Sequence, residues 1–389
     1  LKILIAHDVG RGRNGGMSRI MGLLHDDIAA LGHQVEYLCS EDIPRNGLHP
    51  GLSRFVFPLV ALRRAAEKAR LGDPYDIVNV HEPSGAALVA WRSRLRGTKV
   101  VVTSHGVEER GWERRLEATA DRDERPRTKT RILYPLTLLW QAAMALRRAD
   151  HIFCLNTEDE QFVRSRYLRK SEDITRIFPG ADPIYGRHAA TRDYERNSII
   201  LFAGTWLIRK GIRDLVVAFT RLAEADPRLR LHVLNPGADP GVVLNDFPAH
   251  IRERVVCLRS EPEEGTARAM ESADVFVLPS LFEGTPLTLM EAMGSGLPIV
   301  TTSICGMKDV ITHETNGLLV PPHDAASLEL ALRRLLLDSE LRGKLGSQAY
   351  ADSRSRYQWK HCSALVMQTY DRLLSKSAVS SPELTASRA

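Results

Sequence analysis

Two glutamates with seven residues between them, Glu283 and Glu291, lie in the stretch 275–300, VFVLPSLFEGTPLTLMEAMGSGLPIV. A carboxylate accepts hydrogen bonds and donates none, so its natural partners are hydroxyls and amides. Between the two, Gly284-Thr285-Pro286-Leu287 reads as the opening of a short helix. Pro suits a first helical position and Thr is an acceptable cap. The first-turn amides then point outward from the end of an apolar strand at 275–278 and form an anion site. Glu291 falls five residues into that helix, roughly 7.5 Å along its axis. Hydroxyl-seeking groups on either side of a phosphate-seeking helix end describe a site for a sugar attached to a phosphate.

A second group carries the opposite charge. Arg209 and Lys210 stand in Gly204-Thr205-Trp206-Leu207-Ile208-Arg209-Lys210-Gly211, just ahead of a helix with Ile212, Leu215, Val216, Phe219 and Leu222 on its inner side. Two cations at a positive helix end are unfavourable unless an anion joins them, and a diphosphate would do so. Near the start, Gly10 to Gly16 form a glycine-rich loop after an apolar strand. Glycines admit a ligand to the backbone, but the spacing is not G-x-G-x-x-G, so no dinucleotide site is expected. Two further buried strands, 76–80 and 99–104, end in His81 and His105. Ligands gather at the carboxyl ends of parallel strands, where histidine can meet a sugar hydroxyl. His81 reads equally as a structural ring or as an acceptor-side group.

The run Glu283-Gly284-Thr285-Pro286 with Glu291-Ala292-Met293 resembles the E-x7-E signature of the retaining glycosyltransferases of family 4. The resemblance extends over most of the chain and is strongest from 204 to 320. It implies the GT-B fold, two Rossmann-like α/β domains facing each other across a cleft. The implied layout is an acceptor-side domain at 1–183, a nucleotide-sugar domain at 184–356, and a last helix at 357–374 crossing back to the first domain. It implies a donor that is a nucleotide-diphosphate sugar, UDP or GDP, held by Gly15, Gly16, Gly204, Arg209, Lys210, Glu283, Gly284, Thr285, Pro286, Leu287 and Glu291. Glu283, His105 and Lys210 are the implied catalytic residues, with Glu291 on the ribose diol. No metal and no further cofactor are implied, because the departing phosphate takes the acceptor's proton. Two positions depart from the family pattern: Thr205 stands where an arginine is usual, and Pro179 replaces an asparagine. A same-fold epimerase or hydrolase, and a non-catalytic nucleotide-sugar-binding partner, are the rival readings.

The elements that must position these groups follow from periodicity. Met17, Ile20, Met21, Leu24, Ile28 and Leu31 recur at helical spacing and stop at Gly32. Strand, glycine-rich turn, helix and strand (34–39) open a doubly wound domain. Residues 55–71 read as an amphipathic helix with Leu59, Leu62, Ala66 and Ala69 on its inner face; it reads as a surface helix on the sheet or as a segment resting on anionic lipid. Residues 132–148 read as a helix too short to span a bilayer. In the charged run 107–131, Asp121-Arg122-Asp123 reads as solvated rather than metal-binding. Residues 259–262 are expected near the nucleotide base, and 375–389 are expected to be disordered.

The chain has 389 residues, 43% hydrophobic and 26% charged, enough for two cores of ordinary soluble composition. Its net charge of +5 suits an anionic ligand or membrane surface. It lacks the basic runs interleaved with aromatics that nucleic acid requires. Five scattered cysteines without C-x-x-C spacing, and a strand beginning at once, point to the cytoplasm, with peripheral contact at the inner face of the membrane as an option. The expected acceptor is a carbohydrate or a lipid-linked sugar.

Overall fold

The computed structural model describes residues 1–12, 15–43, 53–118, 126–259 and 263–379. Asp121-Arg122-Asp123, most of 259–262 and the last ten residues of the chain lie outside them.

Among the described residues twelve strands form two sheets. The first contains β1 (Lys2–Ala6), β2 (Gln34–Leu38), β3 (Ile77–His81), β4 (Lys99–Thr103), β5 (His151–Cys154) and β6 (Ile174–Arg176), in the order β2-β1-β3-β4-β5-β6. The second contains β7 (Ile199–Ala203), β8 (Arg230–Leu234), β9 (Val255–Leu258), β10 (Val275–Leu278), β11 (Ile299–Thr302) and β12 (Leu318–Val320), in the order β12-β11-β10-β7-β8-β9. Every pairing is parallel. Parallel sheets need cover on both faces, and continuous apolar runs such as Ile3-Leu4-Ile5-Ala6 and Val275 to Leu278, all fully buried, supply it.

Around the first sheet run α1 (Gly16–Ala30), α2 (Ser53–Arg70), α3 (Ala86–Ala90), α4 (Glu108–Ala118), α5 (Thr128–Tyr134), α6 (Trp140–Arg148) and α7 (Thr157–Arg166). Around the second run α8 (Ile212–Ala225), α9 (Pro240–Asn245), α10 (Glu264–Ser272), α11 (Leu287–Gly294), α12 (Cys305–Val310), α13 (Ala325–Leu337) and α14 (Ser339–Arg356). The last helix, α15 (Trp359–Val379), returns to the first sheet. Its Val366, Met367 and Tyr370 share one core with Ile20, Met21, Leu24 and Ile28 of α1, and Asn79 donates to the Tyr370 hydroxyl at 2.8 Å.

Four expectations change. The helix at 53–70 buries Phe57, Ala61, Leu62, Ala65 and Ala69, whereas Leu59 is 52% exposed and Ala66 only half-buried. Alanines on adjacent faces leave the phase of an amphipathic helix open, and packing chose the neighbouring arc. The helix expected over 132–148 is α5, a π turn at Pro135–Leu139 and α6. Helix α15 runs through Val379, five residues into the segment expected to be disordered. Helix α11 has Pro286 as its N-cap, not its first turn, and Thr285 does not cap it. The Thr285 hydroxyl instead donates to the Leu155 carbonyl of the first lobe.

Candidate active site

The carboxyl ends of β3, β4, β5, β7, β8 and β10 and the start of α1 face a cavity of about 890 Å³ between the lobes. Gly15, Gly16 and His105 line one wall; Gly204, Arg209, Lys210, the turn Glu283-Gly284-Thr285-Pro286-Leu287 and Glu291 line the other. His81 does not line it. That ring is 1% exposed and lies behind His105, its Nδ1 2.5 Å from His105 Nε2. His81 is still inside β3, paired with Thr103, whereas His105 lies two residues past the end of β4, so the acceptor-side place expected for His81 is not on the cavity wall. Burial pushes His105 down to about 3, with the nearby His7 adding to the shift, and lowers His81 well below the ordinary histidine value. His105 is therefore a neutral hydrogen-bonding ring on this wall rather than a cation.

Glu283 is the convergence point of the second lobe. Its Oε1 receives Lys210 Nζ at 2.5 Å, Arg209 at 3.2 Å and the Ser280 hydroxyl at 3.1 Å. Burial raises this carboxyl, but Lys210, Arg209 and the hydrogen bonds outweigh it and hold Glu283 below the usual carboxylate range. The two cations read as a diphosphate clamp are thus engaged with an internal anion. Lys210 is buried and Arg209 is about half exposed. The turn that delivers Lys210 needs Gly211 in a left-handed conformation (φ 71°), and a Cβ there would lie 1.8 Å from the Pro279 carbonyl. Close by, the Leu287 and Thr288 amides at the start of α11 donate to no protein group among the described residues.

Glu291 is fully buried, and its partner comes from the other lobe. Arg19, one turn past Gly15 on α1, places its guanidinium 2.6 Å from Glu291 and donates to the Tyr185 hydroxyl at 3.0 Å. Burial pushes Glu291 up despite Arg19 and Tyr185. The Glu283 turn is also held from the first lobe. Asn156 donates to the carbonyls of Glu283 and Gly284 at 3.4 Å each, and Gly284 lies so close to His105 that a Cβ would meet the His105 carbonyl oxygen at 2.6 Å.

Arg19, Tyr185, Asn156 and Glu82 escaped the sequence reading. Arg19 carried a signal, a cation one turn into the helix that follows the glycine-rich loop. So did Glu82, a carboxylate directly after β3, which lines the cavity, accepts the Glu108 amide at 3.0 Å and is pushed by burial to about 8. Glu108, Trp112 and Tyr134 extend this wall; the Tyr134 hydroxyl donates to Glu108 and its ring stacks on Trp112 at 4.5 Å. Among the described residues no group of three or more His, Cys, Asp or Glu could hold a metal, and no helix is long and apolar enough to cross a membrane.

Two family models match the chain, glycosyltransferase family 4 over residues 14–184 and glycosyl transferases group 1 over residues 187–352. A D-inositol 3-phosphate glycosyltransferase of Corynebacterium efficiens is 29% identical over 226 residues, 54% of this chain and 53% of that protein. The chain spans about half the length of the curated relatives it matches. Sucrose-phosphate synthase of Thermosynechococcus elongatus has the same fold, with a TM-score of 0.74 at 21% identity over 96% of this chain and 99% of that one. Anabaena HepE, solved in complex with UDP-glucose, gives 0.68 at 15% identity over 95% and 99%. Two parallel sheets face each other across a cleft lined by the paired glutamates, and adjoining family models cover both halves: the chain belongs to glycosyltransferase family 4 and has the GT-B fold.

Proposed function

We propose that the protein is a retaining glycosyltransferase that moves a hexose-type sugar from a UDP- or GDP-linked donor to a hydroxyl of a carbohydrate or lipid-linked acceptor, in polysaccharide or glycolipid assembly. The observation that carries this reading is the meeting of Lys210 and Arg209 on Glu283 beside the unpartnered amides of α11. Each charge there has an internal counter-ion that a sugar diphosphate can replace: phosphate oxygens take the cations and amides, and sugar hydroxyls take the carboxylate. The UDP-glucose complex of HepE and the acceptor in the name of the corynebacterial relative support a nucleotide donor and a hydroxyl acceptor. The five cysteines are all free, which suits a reducing, cytoplasmic setting.

In this reading the anomeric C–O bond to the diphosphate breaks while charge builds on the leaving group. Lys210, Arg209 and the Leu287 and Thr288 amides stabilise that charge by preorganised electrostatics. Glu283, released from its cations, faces the positive sugar ring and its hydroxyls, and Glu291 accepts from the ribose diol. Neutral His105 holds a sugar hydroxyl from the opposite wall. The acceptor oxygen bonds to the anomeric carbon from the leaving-group face, and its proton passes to the departing phosphate. No separate base or metal enters.

A thermal-shift panel of UDP-, GDP- and ADP-sugars ranks the donors, because a ligand that binds only the folded state raises stability with its concentration over Kd. Nucleotide release with and without acceptors then tests transfer. No shift with any donor overturns the reading. Free sugar or an epimer without acceptor identifies a same-fold hydrolase or epimerase, and binding without turnover identifies a non-catalytic partner.

A further inference from the structure

The first lobe carries an apolar stripe that its own core does not use. Residues 128–148 form one continuous rod of α5, the π turn and α6, and along one side of it Ile132 is 57% exposed, Leu133 45%, Leu136 69% and Trp140 56%. Large side chains scattered singly on a surface need no explanation, but four along a few turns of one helix do. Phe55 and Leu59 of α2 are exposed as well. The start of α2 lies beside this rod, since the Arg54 charge acts on the Tyr134 hydroxyl. Helices α2, α3 and α6 pack against the same face of the first sheet, through Phe57, Ala87, Leu88, Ala145 and Leu146.

The charges carried by the segments that form the stripe have one sign. Residues 126–149 contain no aspartate or glutamate, and neither do 53–66. Arg63, Arg127, Lys129 and Arg131 are exposed and have no ion-pair partner among the described residues. Elsewhere on the surface cations are commonly paired, as in Arg92 with Asp150 and Arg166 with Glu109. A second copy of the chain meeting this face symmetrically would bring like charges together. A surface that is apolar beneath and negative above satisfies both features.

We infer that the face formed by α5, α6 and the start of α2 docks on an anionic lipid bilayer, with Leu136 and its neighbours entering the acyl boundary and the flanking cations at the headgroups. Such a surface combines the two signals that stable interfacial binding requires, buried apolar area and electrostatic attraction. Trp140 suits headgroup depth, where an amphipathic ring is wet at one end and apolar at the other. Tyr134 lies on the same rod and lines the cavity, so docking sets the first-lobe wall of the cleft at the membrane. If transfer occurs there as proposed above, the acceptor that this geometry favours is lipid-linked; the docking itself does not depend on that reading.

Vesicle sedimentation tests it, with phosphatidylcholine alone and with phosphatidylcholine mixed with phosphatidylglycerol, at low and high salt. The wild type is expected to partition onto the mixed vesicles at low salt and to leave at high salt. Lys129→Gln with Arg131→Gln should weaken partitioning about thirtyfold, the scale of removing two juxtamembrane cations. Leu136→Glu with Trp140→Glu should abolish it, while Leu330→Glu, at an exposed position of α13, should leave it unchanged. Unchanged melting temperatures and unchanged thermal shifts with nucleotide show that fold and donor site are intact in each variant. Wild type that stays in solution with anionic vesicles, or variants that bind as it does, overturns the inference. So does a lipid-free dimer that Leu136→Glu with Trp140→Glu dissociates, which would make a second copy the occupant. Failure of donor binding alone overturns the transferase reading and leaves the docking result standing.

Discussion

Arg19 and Glu291 come from opposite sides of the cleft and meet at 2.6 Å, with both side chains almost wholly out of water. This ion pair is a cross-lobe tie, since α1 packs on the first sheet and α11 on the second. Removing one member leaves a buried charge without its counter-ion, which is far costlier than removing both. Arg19→Met is expected to lower unfolding stability by about 3 kcal/mol, and Arg19→Met with Glu291→Met to recover most of that loss. Urea denaturation of the four proteins measures the coupling; independent, additive effects would show that the pair does not tie the lobes.

Lys210 and Arg209 touch the same carboxylate oxygen from different depths. Lys210 works in a water-poor setting, where a charge acts at full strength, whereas Arg209 is about half exposed and screened. Lys210→Ala should reduce transfer about a hundredfold, the scale of losing one preorganised charge-stabilising group. Arg209→Ala should reduce it only about fivefold, in keeping with an exposed ion pair. Steady-state nucleotide release gives both numbers. An Arg209 effect equal to that of Lys210 would instead make Arg209 the functional replacement for the arginine that Thr205 lacks.

The strand–loop–helix frame was legible because parallel strands buried on both faces read as unbroken apolar runs: Ile3 to Ala6, Val100 to Val102 and Val275 to Leu278 all lie where periodicity places them. The second-lobe wall was legible because Arg209, Lys210, Glu283 and Glu291 flank helix starts, and local spacing fixes what such residues face. What connects the lobes was not. Arg19 finds Tyr185 at a separation of 166 residues, and Asn156 finds Gly284 at 128. No local pattern announces a partner so far along the chain. Thr285 shows the same competition on a smaller scale: its hydroxyl could have capped α11, but the Leu155 carbonyl across the cleft took it.

Glu82 makes stability depend on pH in an unusual direction. Its carboxyl is pushed from 4.5 to about 8, chiefly by burial. Between those values the folded protein keeps a proton that the unfolded chain has lost, so the group's effect is to lower stability as pH rises through that window. His7 and His105, pushed down to about 4 and about 3, act in the other direction, destabilising the fold as pH falls below 6.5. Those rings are common to wild type and Glu82→Gln and cancel in the comparison. Glu82→Gln should therefore gain on wild type steadily as pH climbs from 4.5 toward 8, by thermal melting across that range. A difference that stays flat with pH would mean that Glu82 ionises normally.

Gly284 is the point where the paired-glutamate turn touches the first lobe most closely. A Cβ there would stand 2.6 Å from the His105 carbonyl oxygen and 2.8 Å from its carbon, and both are backbone atoms that cannot swing aside. Gly284→Ala must therefore move the turn away from His105, stretching the Asn156 hydrogen bonds at 3.4 Å and displacing Glu283 with it. A reacting group misplaced by about 1 Å costs on the order of a hundredfold in rate. Transfer should fall on that scale, with a larger radius of gyration in solution scattering. Gly16→Ala is the matched control for space, since a Cβ there meets nothing within 4 Å in the protein and points to a wall of the cleft. It should leave the radius unchanged and weaken only donor binding. If Gly284→Ala kept both its rate and its radius, the close contact between this turn and His105 would have no part in the working enzyme.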